Sequence, residues 1–310
     1  MDITPTRQQH IDAPVPNRIT TAELLASSAA PVRWVIPDYV GEGLTILAGR
    51  QNSGKSWLAL DWAIAVANGG TAMGSVACEQ GDVLYIDLEN GERRIHSRLD
   101  TFFSRGKPPR LPRLQWLNEA LPDNNIVEIL DDWRRAAEAP RLVVIDAPQS
   151  ADPRNDDLDG DFAPLKELRR WATMHPVAVV CLRRTAKVAR IMHEVAANAI
   201  FACADAVLLL DGDTREATLR VWGRDVAQKH MAIAFKKGRW SLLGDEIEVT
   251  ISAERQNILA VLQDHGYSMN AKDIAEVMGV PACNVRQLLF KMLRDGEVTS
   301  PSRGLYRFAE

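Results

Sequence analysis

"GLTILAGRQNSGKSWLALDWAIAVANG", Gly43 to Gly69, passes from a β-branched apolar run, through a glycine-bounded loop, into a long apolar stretch closed by glycine. Gly43 to Gly49 predicts a buried strand, and Ser56 to Asn68 a helix stopped at Gly69-Gly70. The loop between them has the spacing of one that cradles phosphates. Gly49 and Gly54 permit its tight turns, and the amides between them, those of Asn52 and Ser53 included, point inward. Lys55 neutralises phosphate charge, and Ser56 offers its hydroxyl to Mg²⁺. The following helix adds its positive N-terminal end. A strand entering and a helix leaving are the context this mechanism requires, which sets the motif apart from a chance glycine turn.

Working outward, strands and helices alternate. "GDVLYID" (Gly81 to Asp87), "RLVVIDA" (Arg141 to Ala147) and "VAVVCL" (Val177 to Leu182) repeat the buried-strand pattern. Helical stretches lie at Ile126 to Glu138, closed by Pro140, and at Phe162 to Met174. The alternation predicts an α/β fold with a mainly parallel sheet and helices on both faces. "AVLLLDGD" and "TREATLRVWGRD" read as two strands joined by an Asp-Gly turn, and "MAIAFKKGRWSLLG" as a hairpin closing the domain.

With 310 residues, 46% of them hydrophobic, the chain has room for one large domain and a small one. Cys78, Cys181, Cys203 and Cys283 show neither CxxC spacing nor nearby histidine pairs, so no disulfide framework or zinc site is supported, and a reducing cytosol fits. The N-terminal stretch to about residue 30 is polar and proline-rich, and is expected to be a flexible tail rather than a signal peptide. "WLALDWAIAVA" is interrupted by Asp61 and is too short to span a bilayer. A soluble, cytoplasmic protein with no membrane partner is expected. A net charge of −4 gives no global attraction to nucleic acid and leaves a local groove or ring lumen as the place for it.

Kinases, GTPases and motor ATPases share such a loop, so the carboxylates must discriminate. Asp146 ends "LVVID", where an acid at a strand tip holds Mg²⁺ through water; a strand-ending Asp can also be a plain helix cap. Glu89 in "LYIDLENGERR" lies just past another strand, placed to orient and deprotonate the water attacking the γ-phosphate, with Asp87 in support. Read locally, "ENGE" is a surface turn. Trp57 and Trp62 follow the loop on the helix and read as core before base-stacking platforms; Trp57 borders the loop and is kept with the nucleotide-binding candidates.

The run "RWVIPDYVGEGLTILAGRQNSGKSWLALDWAIAVANG", followed by "VLYIDLENGERRIHSRL", "LVVIDAPQS", "ATLRVWGRDV" and "GRWSLLG", resembles the RecA-fold ATPases of the plasmid RepA-type hexameric helicase group. These are relatives of the DnaB-type replicative helicases, common in phages and mobile elements. The resemblance covers about residues 33 to 245. It implies a RecA-like P-loop core that binds ATP and Mg²⁺ between the subunits of a homo-hexamer and passes single-stranded DNA through the ring lumen. Lys55, Ser56, Asp146 and Glu89 would take the roles argued above. It adds Arg224 of "WGRD" as an arginine finger reaching the neighbouring subunit's nucleotide. From the residues alone, Arg224 is equally a cross-strand ion pair on a hairpin.

One departure stands out. Where similar proteins carry a histidine pair that senses the γ-phosphate, this chain has "RRTAK", with Arg183 and Arg184 in the histidine positions. Arginine keeps its charge, so Arg184 is counted with the nucleotide-binding candidates, or the pair turns towards DNA. Arg183, Lys187 and Arg190 form a basic cluster for DNA contact in the lumen, against the plainer reading of a solvated loop face. The acidic stretch Asp152 to Asp161 is expected to be a mobile loop.

From residue 251 to 310 the strand–helix alternation gives way to a helix, a second helix "AKDIAEVMG", a turn at Val280-Pro281, a third helix "ACNVRQLLFKMLRDG", and two short strands around "PSRG". This is similar to a winged helix-turn-helix, set apart from an ATPase domain over 31 to 247. If it reads duplex DNA, Asn284, Arg286, Gln287 and Lys291 would enter the major groove, with Arg303 in the wing. Acids nearly balance bases there, so a protein partner stays open. The sequence points to an ATP-hydrolysing DNA motor, a hexameric replicative helicase of a phage, plasmid or mobile element. The alternatives are an ATP-switched DNA-binding regulator or loader and, more weakly, a small-molecule kinase.

Overall fold

Alternating apolar strands and helices build a central sheet of nine strands in the computed structural model, which describes residues 19–27, 31–104, 109–119, 126–147, 158–185, 203–212 and 217–309. The chain divides into two units, residues 1–32 and 33–310. In the first, inside the expected tail, α1 (Thr21–Ala26) is a short helix opened by a capping box between Thr20 and Glu23.

The second unit opens with a small ladder, β1 (Trp34–Ile36) and β2 (Val40–Gly41). β3 (Gly43–Gly49) leads through the phosphate loop into α2 (Lys55–Asn68), which Gly69 ends in the left-handed conformation. A two-stranded ribbon, β4 (Thr71–Ala72) with β5 (Val76–Ala77), precedes β6 (Asp82–Asp87). There follow α3 (Glu92–Phe102), β7 (Leu114–Leu117), α4 (Ile126–Ala136) and β8 (Pro140–Asp146). α5 (Leu158–Met174) and β9 (Ala178–Arg184) complete the alternation. β10 (Ala206–Gly212), β11 (Ala217–Gly223), β12 (Lys229–Lys236) and β13 (Arg239–Asp245) then run as a meander.

The strand order is β13-β12-β11-β10-β3-β9-β8-β6-β7, with the six from β10 to β7 mutually parallel and the other three added antiparallel. The expected α/β fold with a mainly parallel sheet is therefore present. β3 is buried throughout, and its period-two alternation divides the core. Leu47 faces a cluster with α2, Tyr85 and Trp240, whereas Leu44, Ile46 and Ala48 face Leu130 and Trp133 of α4 and Leu165, Leu168 and Trp171 of α5. α2 is apolar nearly all round because strands of the central sheet, β13 among them, pack against it together with β1 and β4.

Two local expectations change. α5 begins at Leu158, so Leu158 to Asp161 of the acidic stretch are helical rather than loop, and 152–157 lie outside the described residues. α3 and β7 are additions to the expected alternation: one is highly charged and the other is four residues long at the sheet edge.

The C-terminal elements are α6 (Glu246–His265), β14 (Met269–Asn270), α7 (Ala271–Met278), α8 (Ala282–Arg294), β15 (Val298–Ser302) and β16 (Leu305–Phe308). Three helices and a three-stranded sheet enclose a core of their own, centred on Ile258, Ile274, Leu289 and Met292. α6 runs unbroken through residues 247–251, and its first turn is tied to the central sheet where Glu246 accepts from Thr218 Oγ1 at 3.0 Å. No helix among the described residues is long and apolar enough to cross a membrane.

Candidate active site

The phosphate loop lies at the C-terminal end of β3, where open parallel sheets bind ligands. Its shape depends on two positive-φ residues, Asn52 (62°) and Gly54 (96°). A Cβ on Gly54 would sit 2.7 Å from Trp240 Cζ2, so Trp240, fully buried on β13, closes the floor beneath the loop. Its indole N–H donates to the Gly54 carbonyl at 3.2 Å. Lys55 folds back along the loop and donates to the carbonyls of Gly49 (2.9 Å) and Arg50 (2.7 Å). Burial lowers its pKa to about 8; the Asp146 carboxylate opposes the shift and Arg184 adds to it.

Ser56 Oγ donates to Asp146 Oδ2 at 2.6 Å, joining the first turn of α2 to the tip of β8. Burial raises the Asp146 pKa, and the Ser56 hydrogen bond opposes that shift. Two oxygen donors at this spacing suit a hard cation such as Mg²⁺, which takes one or two carboxylates and draws its remaining ligands from phosphate and water.

Glu89 follows β6, two places beyond β9 in the sheet. The turn that carries it is built by the buried Asp87, whose Oδ1 accepts from the backbone N–H groups of Glu89 (3.2 Å) and Asn90 (2.9 Å) and from Asn90 Nδ2 (2.9 Å). Arg98 on α3 stands 3.6 Å from Asp87 Oδ2 and donates to Asn90 Oδ1 at 3.4 Å. Asn90 is buried and turns into the site, Glu89 is half-buried, and Gly91 and Glu92 at the end of the turn are exposed. The Glu89 carboxylate pairs with the Arg184 guanidinium at the end of β9.

These groups converge on a cleft of about 560 Å³. Gln51, Asn52, Gly54, Lys55, Ser56 and Trp57 line it from the loop, Glu89, Asn90, Arg94 and Arg98 from the β6–α3 side, and Asp146, Arg183 and Arg184 from β8 and β9. The volume suits a small-molecule ligand, and the concentration of cations suits a polyanionic one.

The family described as "AAA domain" matches residues 9–190, more than half of the chain. The chain belongs to the AAA-domain family. Among solved structures it is similar to the "RadB recombinase", with 19% sequence identity and a TM-score of 0.47 over 66% of this chain and 91% of that one. With its phosphate loop and strand-end acid, this AAA-domain protein is a P-loop ATPase.

Of the residues singled out from sequence, Asn52, Gly54, Lys55, Ser56, Trp57, Glu89, Asp146, Arg183 and Arg184 all line the one cleft. Gly49 and Ser53 support the loop from behind: a Cβ on Gly49 would meet the Leu210 carbonyl at 2.7 Å and Ser53 Oγ at 2.9 Å. Trp57 also packs on Phe235, with ring centroids 5.7 Å apart, and Trp62 is core. Arg224 stands apart. It follows Gly223, which pairs with Ala206, whereas Leu210, at the other end of β10, pairs with Gly49. That puts Arg224 about 15 Å along the strand from its own phosphate loop, 57% exposed and 4.0 Å from Asp205. Lys187 and Arg190 lie outside the described residues. Arg286, Lys291 and Arg303 are exposed on the C-terminal elements.

Sequence reading misses Arg94, Arg98, Asn90 and Trp240. The arginines are spaced i, i+4 on α3, a signal that only assigning that helix would reveal. Trp240 lies 186 residues from its Gly54 partner, and nothing local announces it.

Proposed function

We propose that this AAA-domain ATPase is a DNA motor that hydrolyses ATP at the interfaces of a homo-hexameric ring, of the replicative-helicase type carried by phages, plasmids and mobile elements. One observation carries the reading: Lys55, Ser56, Asp146 and Glu89 share a cleft, while the candidate finger Arg224 sits exposed towards the opposite end of the strands from the phosphate loop. An arginine so placed has no part in its own cleft, and has one only if a neighbour's nucleotide is brought to it.

In this reading Lys55 leaves its two loop carbonyls to bind the β- and γ-phosphates. Ser56 and Asp146 would hold Mg²⁺, which supplies charge neutralisation at the phosphates. Glu89 takes a proton from water as the water oxygen bonds to the γ-phosphorus and the bond to the ADP oxygen breaks. Asp87, Asn90 and Arg98 fix the Glu89 turn. The C-terminal unit is a winged helix-turn-helix presenting Arg286 and Lys291 on α8, with Arg303 between β15 and β16.

A second reading, an ATP-switched DNA-binding regulator or loader, is favoured by one contact. Glu89 is engaged by Arg184, which occupies the carboxylate a hydrolase needs. Strand separation on a forked DNA, with mass measured under the same conditions, distinguishes the two. A ring that parts the strands supports the motor; ATP-dependent DNA binding without separation supports the regulator and refutes the motor.

A further inference from the structure

We infer that Asp205 is the positioning residue for Arg224. Its carboxylate holds the Arg224 guanidinium at the end of β11 in readiness for a neighbour's nucleotide, and Arg169 balances that carboxylate so that Arg224 can leave it. The inference rests on the reading above, that Arg224 acts in trans as an arginine finger.

The backbone of Asp205 joins Arg224 to the strand that bears the phosphate loop. Its N–H donates to the Leu44 carbonyl at 2.8 Å, and its carbonyl accepts from the Arg224 N–H at 2.9 Å. The side chain repeats the link: Oδ2 accepts from the Leu44 N–H at 3.0 Å, at the start of β3. Gly43 (φ 100°) makes room for this, because a Cβ there would come within 2.6 Å of Oδ2. With Oδ2 so fastened, Oδ1 faces two guanidiniums, Arg169 of α5 at 3.3 Å and Arg224 at 4.0 Å.

The unequal distances set the two arginines apart. Among the described residues Asp205 is the one acid paired with Arg224, whose side chain is more than half exposed. An exposed arginine loses rotamer freedom when it commits to a phosphate, and an acid that already biases its direction lessens that loss. At 4.0 Å and open to solvent, the pair is weak enough to be given up for a phosphate, which carries more charge and accepts paired N–H donors. Arg169 is nearer and less exposed, so Asp205 keeps a cation after Arg224 has turned away. Without that second cation the carboxylate would hold Arg224 back.

Mixed rings of the full chain test this. Glu89→Gln subunits lack the base but present Arg224, whereas Arg224→Ala subunits lack the finger but keep Glu89. Co-expressed and purified through a tag on each, the two should recover ATP turnover at interfaces where a Glu89→Gln subunit lends its Arg224 to an Arg224→Ala neighbour. Asp205→Asn is then added to one partner at a time; it keeps an oxygen for the Leu44 N–H and removes the charge. In the Glu89→Gln subunit it should cut the recovered kcat by about tenfold with little change in KM. In the Arg224→Ala subunit, which has no guanidinium to position, it should cost far less, and this placement also reports any damage to the fold. Equal losses in the two placements, a larger loss in the Arg224→Ala subunit, or no loss in either overturns the positioning role and leaves Arg224 as the finger. No recovered turnover in the parent mixture overturns the finger, and the inference with it.

Discussion

Asp87 is a buried carboxylate whose task is to hold another residue in place, and removing it has a calculable cost. In Asp87→Ala, the backbone N–H groups of Glu89 and Asn90 and the Asn90 amide lose their acceptor, and Arg98 loses its ion-pair partner. Hydrogen bonds to a charged group contribute about 1.5 kcal/mol each at the low end, so three come to roughly 4–5 kcal/mol. Part of this is offset because a buried charge no longer has to be desolvated, the effect that raises the Asp87 pKa. A net loss of about 3 kcal/mol is expected, a fall in Tm of roughly 6–12 °C for a domain of this size. Asp87→Asn keeps one oxygen for the same N–H groups and should lose about 1 kcal/mol. Thermal melts of the three proteins, with kcat and KM for ATP, provide the assay. Both variants should lose kcat more than affinity, and the alanine variant more severely. An Asp87→Ala protein that melts with the wild type and turns over normally refutes the claim that Asp87 builds the Glu89 turn.

The remaining predictions concern the loop, its lysine and the C-terminal helix. Gly54→Ala puts a side chain at φ 96° and 2.7 Å from Trp240, so it should lower stability by about 1–3 kcal/mol and largely abolish nucleotide binding in a filter or calorimetric assay; near-normal binding contradicts the loop geometry. Burial holds Lys55 at about 8, below its ordinary value, so its stability cost is present below pH 8 and is relieved as pH rises towards that ordinary value. A phosphate ligand favours the charged form; nucleotide affinity should therefore fall by up to about tenfold per pH unit above 8, with proton uptake visible as buffer-dependent binding heat. On α8, Arg286→Ala and Lys291→Ala should each weaken duplex binding and reduce the magnitude of its salt slope by about 1. Unchanged duplex binding would instead point to the exposed Phe290, 70% accessible on the same helix, as part of a protein-facing surface.

Much of the fold and half of the site are legible in the sequence because the chemistry is local. β3, the loop and α2 are contiguous, and the spacing of Gly49, Gly54, Lys55 and Ser56 fixes their geometry without help from elsewhere. Asp146 is legible because an acid ending an apolar strand is costly to bury without a purpose. What escapes such a reading is what depends on distant partners. α3 carries Ile95 and Phe102 as its buried residues amid arginines, and its polarity hides the helix that brings Arg94 and Arg98 to the cleft. β7 is too short to show periodicity and is specified by pairing with β6 and by Trp116 stacking on Tyr85. Arg184 is legible as a substitution at a sensing position, but its pairing with Glu89 joins residues 95 apart and belongs to the sheet order, not to either motif.

The most direct test of the central claim is steady-state ATP hydrolysis with and without single-stranded DNA, for the wild type and Glu89→Gln, with mass measured on the same samples. The account predicts turnover by a hexamer that DNA stimulates and that Glu89→Gln abolishes while nucleotide still binds. A monomer that binds ATP and hydrolyses it at a rate indifferent to DNA, or a Glu89→Gln protein as active as the wild type, would contradict it.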